Sequence, residues 1–261
     1  MITAASNSRI KRLVQLNQKS KLRRTEDVFL AEGVKMFLEA PREQLQEVYV
    51  SESFLEKCSC REHLEEVGYE VVSDSVFSKI SDTCTPQGIL CVLKQFHYNI
   101  EEMLRDKAPL FLLLENIQDP GNLGTMLRTG EGAGVSGIIM SRDTVDLYNP
   151  KVIRSTMGSI YRVPFYYADD FAAAVHQVQQ AGVSVYAAHL RGKNSYACQN
   201  YTKGTAFLIG NEGNGLREET AELADCYIRI PMEGKVESLN AAISTAVIAY
   251  EVLRQRSTGK K

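Results

Sequence analysis

Residues 110–122 read LFLLLENIQDPGN, and this stretch decides the fold. The run opens with five apolar residues in succession, as a strand buried on both faces of a parallel sheet must. The polar loop IQDPG then breaks it, and the spacing predicts a helix over 122–133. Later apolar runs predict strands over 135–140, 162–165, 183–188, 206–209 and 227–230. Helical patterns separate them. Asn149-Pro150 is a good helix start, because Asn caps the first turn and Pro suits the first helical position. Asp169 opens a helix with Phe171, Ala174, Val175 and Val178 on one face. A last helix, over 238–256, sets Leu239, Ala242, Ile243, Ala246, Val247, Tyr250 and Leu253 in one apolar stripe. Strands alternating with helices imply an α/β fold with a doubly wound parallel sheet.

Upstream lies a smaller α/β block. Ile10, Leu13 and Val14 recur at helical spacing, as do Leu30, Val34, Phe37 and Leu38 before Pro41. Short strands are expected over 48–50, 69–72 and 89–93. The organisation is therefore a first domain over 1–94, a polar connection over 95–108, and a second domain over 109–261. The 261 residues, 44% hydrophobic and 24% charged, suffice for a sizeable core. No apolar run reaches the roughly 18 residues that span a bilayer, and MITAASNSRIKRL lacks the apolar core of a secretory signal. The cytoplasm is the default expectation. The cysteines at 58, 60, 84, 91, 198 and 226 contain no CxxC pair, so no structural metal is expected.

The net charge of −2 conceals an asymmetry. Residues 1–25 hold seven cations (Arg9, Lys11, Arg12, Lys19, Lys21, Arg23 and Arg24) and no acid. Such a cluster meets a phosphate backbone or simply solvates a surface. The basic residues from Arg254 to Lys261 read as an untethered tail.

In doubly wound sheets ligands sit beyond the C-terminal ends of the strands. Four loops there stand out, at 116–129, 147–159, 209–217 and 230–241. The glycines do not form a dinucleotide fingerprint: GNEGNG (210–215) has the wrong order and GEGAG (130–134) precedes a strand instead of following one. No phosphate-loop lysine pattern is present. Taken singly, DPGN is an ordinary turn and Gly210, Gly213 and Gly215 are ordinary loop glycines.

Taken together, ENIQDPGNLGTMLRTGEGAG (115–134), FLIGNEGNGLR (207–217) and IRIPMEGKVESLNAAISTAVIAYE (228–251) closely resemble the three motifs of the SpoU (TrmH-like) family of RNA ribose 2′-O-methyltransferases, within the SPOUT superfamily. The resemblance covers about residues 109–256. The first block is similar to that family's L30e-like substrate-binding domain, with FLAEG (29–33) and TPQGI (85–89) at matching places. The resemblance implies a deep trefoil knot in the second domain, S-adenosylmethionine as cofactor, and a homodimer acting on structured RNA. Ribosomal RNA is favoured over transfer RNA because the extra first domain is present. A non-catalytic RNA-binding or ribosome-assembly protein on the same fold is the competing reading.

The same resemblance implies site residues. Gly210, Asn211, Ile230, Met232 and Leu239 would hold the cofactor, with Ala188 and His189 as neighbours. Arg128 matches the first-motif arginine, Asn122 its asparagine, Glu212 the second-motif glutamate, and Ser238 and Asn240 the third-motif polar pair. Arginine stays protonated well above neutral pH, which favours gripping a phosphate and stabilising a developing alkoxide; a base role and a plain salt bridge to Glu131 or Glu115 are the alternatives. Ser238 is equally a candidate cap of the last helix. RNA contacts are expected from Arg9, Lys11, Arg12, Arg23 and Arg24, and from Lys151 and Arg154.

Overall fold

In the computed structural model, which describes residues 1–258, the chain opens with α1 (Ser8–Gln18). Its cap is Asn7, whose Oδ1 accepts from the Arg9 N–H at 2.9 Å, and Ile10, Leu13 and Leu16 line its buried face. α2 (Ser20–Glu26) follows and leads into β1 (Val28–Glu32). The helical spacing expected around Leu30 does not hold there. Val28 to Ala31 are buried in succession, so both faces of the segment are covered, and helix resumes only in α3 (Val34–Leu38), after Gly33 at φ +114°. Then come β2 (Leu45–Ser51), α4 (Glu52–Lys57), α5 (Arg61–Val67), β3 (Glu70–Val72), α6 (Asp74–Ile80) and β4 (Ile89–Lys94). The four strands form one sheet, β1-β4-β2-β3, with β4 antiparallel to both neighbours and β3 parallel to β2.

The chain continues through α7 (Ile100–Met103) to β5 (Leu110–Leu114), all five residues of which are buried. α8 (Pro120–Ala133) is capped by Asp119, whose Oδ1 accepts from the Asn122 N–H at 2.7 Å, and stops at Gly134 in the left-handed region. β6 (Gly137–Ser141), α9 (Pro150–Thr156) and β7 (Phe165–Ala168) follow. α10 (Phe171–Gln180) is capped by Asp170, not Asp169; Asp170 accepts from Ala173 N–H, whereas Asp169 pairs with Arg142. Then come β8 (Ser184–Ala188), β9 (Asn194–Ser195), β10 (Thr205–Ile209), α11 (Glu218–Ala221), β11 (Cys226–Arg229) and α12 (Ala241–Thr258). The seven strands from β5 onward pair in parallel in the order β7-β6-β5-β10-β8-β11-β9.

The chain divides into two compact units by its contacts, one of residues 1–96 with 146–161 and the other of residues 97–145 with 162–261. The cause is a set of long-range contacts. Asp146 pairs with Arg23 at 2.5 Å, the Tyr148 ring lies 4.8 Å from that of Phe29, and the Tyr161 hydroxyl donates to the Met36 carbonyl at 3.0 Å.

The basic C-terminus is not an untethered tail as far as Thr258. Arg254 pairs with Glu251, and the half-buried Arg256 donates to the carbonyls of Ala108, Pro109, Tyr201 and Lys203. The rest of that basic stretch, 259–261, lies outside the described residues. α12 also departs from its expected stripe. Ala242, Thr245, Ile248, Ala249 and Val252 are its buried face, while Ile243, Tyr250 and Leu253 are 51%, 49% and 36% exposed.

Candidate functional site

In the second unit, the central strands β5, β10, β8 and β11 lie side by side. Their parallel register brings the loops that leave their C-terminal ends together, and a cavity of about 290 Å³ opens among those after β8, β10 and β11. All seven residues expected to hold a cofactor line it: Ala188, His189, Gly210, Asn211, Ile230, Met232 and Leu239. Glu212 and Ser238 line it as well.

The loop after β10 is a tight reversal. The backbones of Asn211 and Gly215 exchange N–H···O bonds of 3.0 and 2.9 Å. Asn211 Oδ1 accepts from the N–H groups of Gly213 (2.8 Å) and Asn214 (3.1 Å), and its Nδ2 donates to the Asn116 carbonyl at 2.9 Å. That last bond ties this loop to the one after β5. Gly210 is required by space: a Cβ there would lie 2.2 Å from both Gly215 C and Leu216 N.

Glu212 reinforces the tie. Its carboxylate accepts from the N–H groups of Gln118 and Asp119, both at 3.2 Å, and from Asn122 Nδ2 at 3.0 Å. Burial pushes this carboxyl upward, but the Asn122 and backbone donors outweigh it and hold it below the ordinary glutamate range. Asn122 Oδ1 accepts in turn from Asn240 Nδ2 at 3.0 Å. Asn240 also caps α12, its Oδ1 accepting from Ala242 and Ile243 N–H, so the cap expected at Ser238 sits two residues later.

The loop after β11 is different in character. Among the described residues, 231–239 take part in no backbone–backbone hydrogen bond. Beside a cavity, such groups are left for water or a ligand. His189 accepts at Nδ1 from the Arg191 N–H (3.1 Å), which assigns its proton to Nε2. Burial, helped by Arg191, pushes this imidazole below its ordinary value, so it is neutral at neutral pH.

Arg128 lies six residues after Asn122 on α8, about 9 Å along the helix and on a different face. It does not line the cavity. It is exposed, and among the described residues it has no hydrogen bond or ion pair. The salt-bridge alternatives fail: Glu131 pairs with Arg162, and Glu115 serves other partners. Sequence reasoning missed that role of Glu115. This buried carboxylate accepts from the Arg217 N–H at 2.8 Å and the Thr220 hydroxyl at 2.5 Å, and Arg217 also pairs with Asp143, so the far end of the glycine loop is anchored. An acid closing an apolar run was the available signal.

The expected RNA contacts divide. In the first unit Arg9 pairs with Glu70, Arg12 with Glu26 and Glu47, and Arg154 with Asp82. Arg23 is only 3% exposed. Its guanidinium binds Asp146 and the Leu16 and Asn17 carbonyls that end α1, which removes it from the phosphate-binding set. Lys11, Arg24 and Lys151 are exposed and, among the described residues, have no ion pair. No group of three or more His, Cys, Asp or Glu among the described residues is placed to hold a metal ion, and no described helix is long and apolar enough to cross a membrane.

Comparison with known proteins extends this geometry. Residues 109–250 match the SpoU rRNA Methylase family, and residues 7–91 match the MRM3-like substrate binding domain. The chain is 32% identical over 254 residues to the 23S rRNA (guanosine(2553)-2′-O)-methyltransferase RlmP of Bacillus subtilis, covering 96% of this chain and 98% of that one. Its fold is similar to the SpoU methyltransferase AviRb from Streptomyces viridochromogenes in complex with AdoMet (TM-score 0.88, 25% identity, 97% and 100% of the two chains). It is similar also to an AdoMet-bound rRNA methyltransferase from Sinorhizobium meliloti (TM-score 0.83, 30% identity, 97% of each).

Proposed function

The chain belongs to the SpoU rRNA methylase family, and from that premise we propose that it methylates a ribose 2′-hydroxyl of 23S ribosomal RNA with S-adenosylmethionine as donor. The observation that carries this reading is the cavity lined by the second- and third-motif loops, to which the first-motif Asn122, itself outside the lining, is joined by the Asn240–Asn122–Glu212 hydrogen bonds.

The cavity suits the donor. Gly210 lets main chain approach closely, Met232, Glu237, Ser238 and Leu239 offer backbone polar groups without a backbone partner among the described residues, and Glu212 and Glu237 supply negative charge for a cation. When bound, S-adenosylmethionine supplies a methyl group activated by a sulfonium. The chain's own work is to hold and orient. Gly210, Asn211, Ile230, Met232 and Leu239, with Ala188 and His189, form the donor's walls. Glu212, Asn122 and Asn240 keep those walls in register, with Ser238 beside them. Arg128, exposed and unpaired, serves the RNA: it grips the phosphate beside the target ribose and stabilises the oxygen as it loses its proton. The first unit recognises the RNA, and Lys11, Arg24 and Lys151 contribute phosphate contacts.

Three finer features belong to the same reading. The outward Ile243–Tyr250–Leu253 face of α12 supports a homodimer, since a second copy would cover it. The return of the C-terminal loop to Asn122 supports the family's trefoil knot. A ribosomal RNA substrate puts the protein in the cytoplasm. The test is transfer of labelled methyl to 23S RNA, with Arg128→Ala as control. Transfer by the wild type that Arg128→Ala loses, with cofactor affinity retained, is the expected result. Transfer to transfer RNA alone, or cofactor binding with no transfer to any cellular RNA, overturns it.

A further inference from the structure

The first unit contains a cavity of about 360 Å³ that the chemistry above does not use. Three chain segments at one end of its sheet form the wall. The turn from β2 into α4 brings Ser51, Ser53 and Phe54. The start of α6 brings Asp74, and the turn into β4 brings Gln87 and Gly88.

The wall is held firmly. Glu32 accepts from the Ser81 hydroxyl (2.7 Å), the Thr83 hydroxyl (3.1 Å) and the Gln87 N–H (3.1 Å), which fixes the segment 81–87. Gly88 sits at φ +82°, and a Cβ there would lie 2.5 Å from Phe54 Cβ, so backbone packs directly against the base of that side chain. Asp74 Oδ1 takes both donors of Ser53, the N–H at 3.3 Å and the hydroxyl at 2.7 Å, which fixes its carboxylate at the cavity wall. Those Ser53 bonds hold the Asp74 carboxyl below its ordinary range, so it accepts hydrogen bonds at neutral pH.

The lining chemistry selects the ligand class. One carboxylate beside one lysine, Lys57, leaves the cavity without the net positive charge that a multiply charged phosphate group requires. The serines and the carboxylate reject a lipid chain. A single acid is too few ligands for a hard cation. A half-buried phenyl ring beside a carboxylate, a carboxamide and hydroxyls matches a nucleobase, which has a flat π face and N–H donors at its edge. The volume falls at the small end of ordinary ligand pockets, about 300–1,000 Å³. A base can enter only when unpaired and unstacked.

We infer that this cavity receives one unpaired nucleotide of the RNA substrate, its base against Phe54 and its N–H edge on Asp74, with Lys57 meeting the adjoining phosphate. The inference rests on the RNA reading proposed above and deepens it, because it makes a nucleotide that need not be the methylated one part of substrate choice.

The test compares the wild-type chain with Phe54→Ala, Asp74→Asn and Lys57→Gln. Affinity for 23S RNA fragments is measured by filter binding, and methyl transfer, S-adenosylmethionine affinity and unfolding midpoint are measured alongside. Phe54→Ala is expected to weaken RNA binding and raise its KM about ten- to hundredfold, as loss of one stacked base does. Asp74→Asn and Lys57→Gln, both exposed and fold-neutral, are expected to weaken binding about three- to tenfold. The kcat at saturating RNA, the donor affinity and the midpoint stay unchanged in the two exposed variants. Ultraviolet crosslinking should join RNA to the peptide carrying Phe54 in the wild type. Wild-type RNA affinity in Asp74→Asn and Lys57→Gln, with no crosslink at Phe54, overturns this inference alone. Failure of the wild type to transfer methyl to any RNA overturns the methyltransferase reading, while the binding arm still decides the cavity.

Discussion

Three glycines in the loop after β10 should respond to alanine in three different ways, and the contrast tests whether this loop is the donor's wall. At Gly210 a Cβ would lie 2.2 Å from Gly215 C and Leu216 N, and those backbone atoms would have to retreat by about 1.2 Å to reach ordinary contact at 3.4 Å. The retreat breaks the paired Asn211–Gly215 bonds of 3.0 and 2.9 Å, worth about 1 kcal/mol each. Overpacking adds about 1–3 kcal/mol. Together that is about 3–5 kcal/mol lost from the ordered loop, so the dissociation constant for S-adenosylmethionine should rise at least about a hundredfold. At Gly213 the nearest atom would be Asn211 Oδ1 at 3.5 Å, an ordinary contact, and affinity should hold within about threefold. At Gly215 the space is open but φ is +71°, which costs an L residue about 1 kcal/mol and hence about fivefold. Isothermal titration of the three variants, with urea unfolding to show that the fold persists, gives the ranking. Wild-type affinity in Gly210→Ala, or equal damage at 210 and 213, would refute the reasoning.

Donor affinity should also depend on pH through His189. Its folded pKa lies below the ordinary 6.5, so the neutral ring's contribution to stability is complete above that value and is lost as pH falls through the depressed one. Protonation there would also place a cation beside a sulfonium, so affinity should fall on the acid side of 6.5 and His189→Gln should flatten the profile; a parallel profile in the variant removes His189 from the cavity's electrostatics. The two adjacent arginines at 23 and 24 should separate. Arg23→Gln leaves Asp146 and two helix-end carbonyls without their donor and should lower the stability to urea by about 3 kcal/mol. Arg24→Gln should keep stability within about 0.5 kcal/mol and lower the slope of RNA affinity against salt by about 1. Equal stability of the two variants would contradict the burial of Arg23.

What the sequence disclosed tracks the range of the interactions. The five-residue apolar run became β5, and Asn149 caps α9 by accepting from the Lys151 N–H at 2.9 Å. Both are decided within a few residues. β1 was hidden because Leu30, Val34 and Phe37 keep helical spacing across Gly33, and only pairing with β4, some sixty residues on, makes 28–32 a strand. The outward face of α12 was hidden because apolar residues surround that helix, so periodicity alone cannot choose the buried side. Arg23 looked like one more member of a basic cluster. Its partner Asp146 lies 123 residues away, beyond the reach of local charge counting. In the cavity, the motif order placed the loops, whereas the anchoring by Glu115 and Arg217 depends on two strand ends meeting in space.

The hydrogen bonds that join the three motif loops beside the cavity run in one direction, and that direction explains the choice of side chains. The first N–H groups of α12 donate to Asn240, Asn240 donates to Asn122, and Asn122 donates to Glu212, which also accepts from the N–H groups preceding α8. Each intermediate member must accept with one end and donate with the other. At neutral pH a carboxamide does this and a carboxylate does not. Asn122→Asp keeps the shape almost unchanged, yet it sets a second carboxylate against Glu212 across a 3.0 Å contact and removes the donor that helps hold Glu212 below the usual glutamate range. The pair then relieves itself by taking up a proton or by parting the loops after β5 and β10. Asn122→Asp should therefore bind the donor about tenfold or more weakly at neutral pH and recover part of that affinity as pH falls and the pair gains its shared proton. Asn122→Ala loses the relay without the repulsion, so it should be weakened at every pH with no acid recovery. Because the wild-type Glu212 pKa is depressed, its own contribution is intact above the ordinary 4.5 and is lost only as pH falls through the lower folded value. Any recovery in Asn122→Asp must consequently appear at higher pH than the wild type's acid loss, and identical pH profiles for the two Asn122 variants would show that the relay carries no charge discrimination.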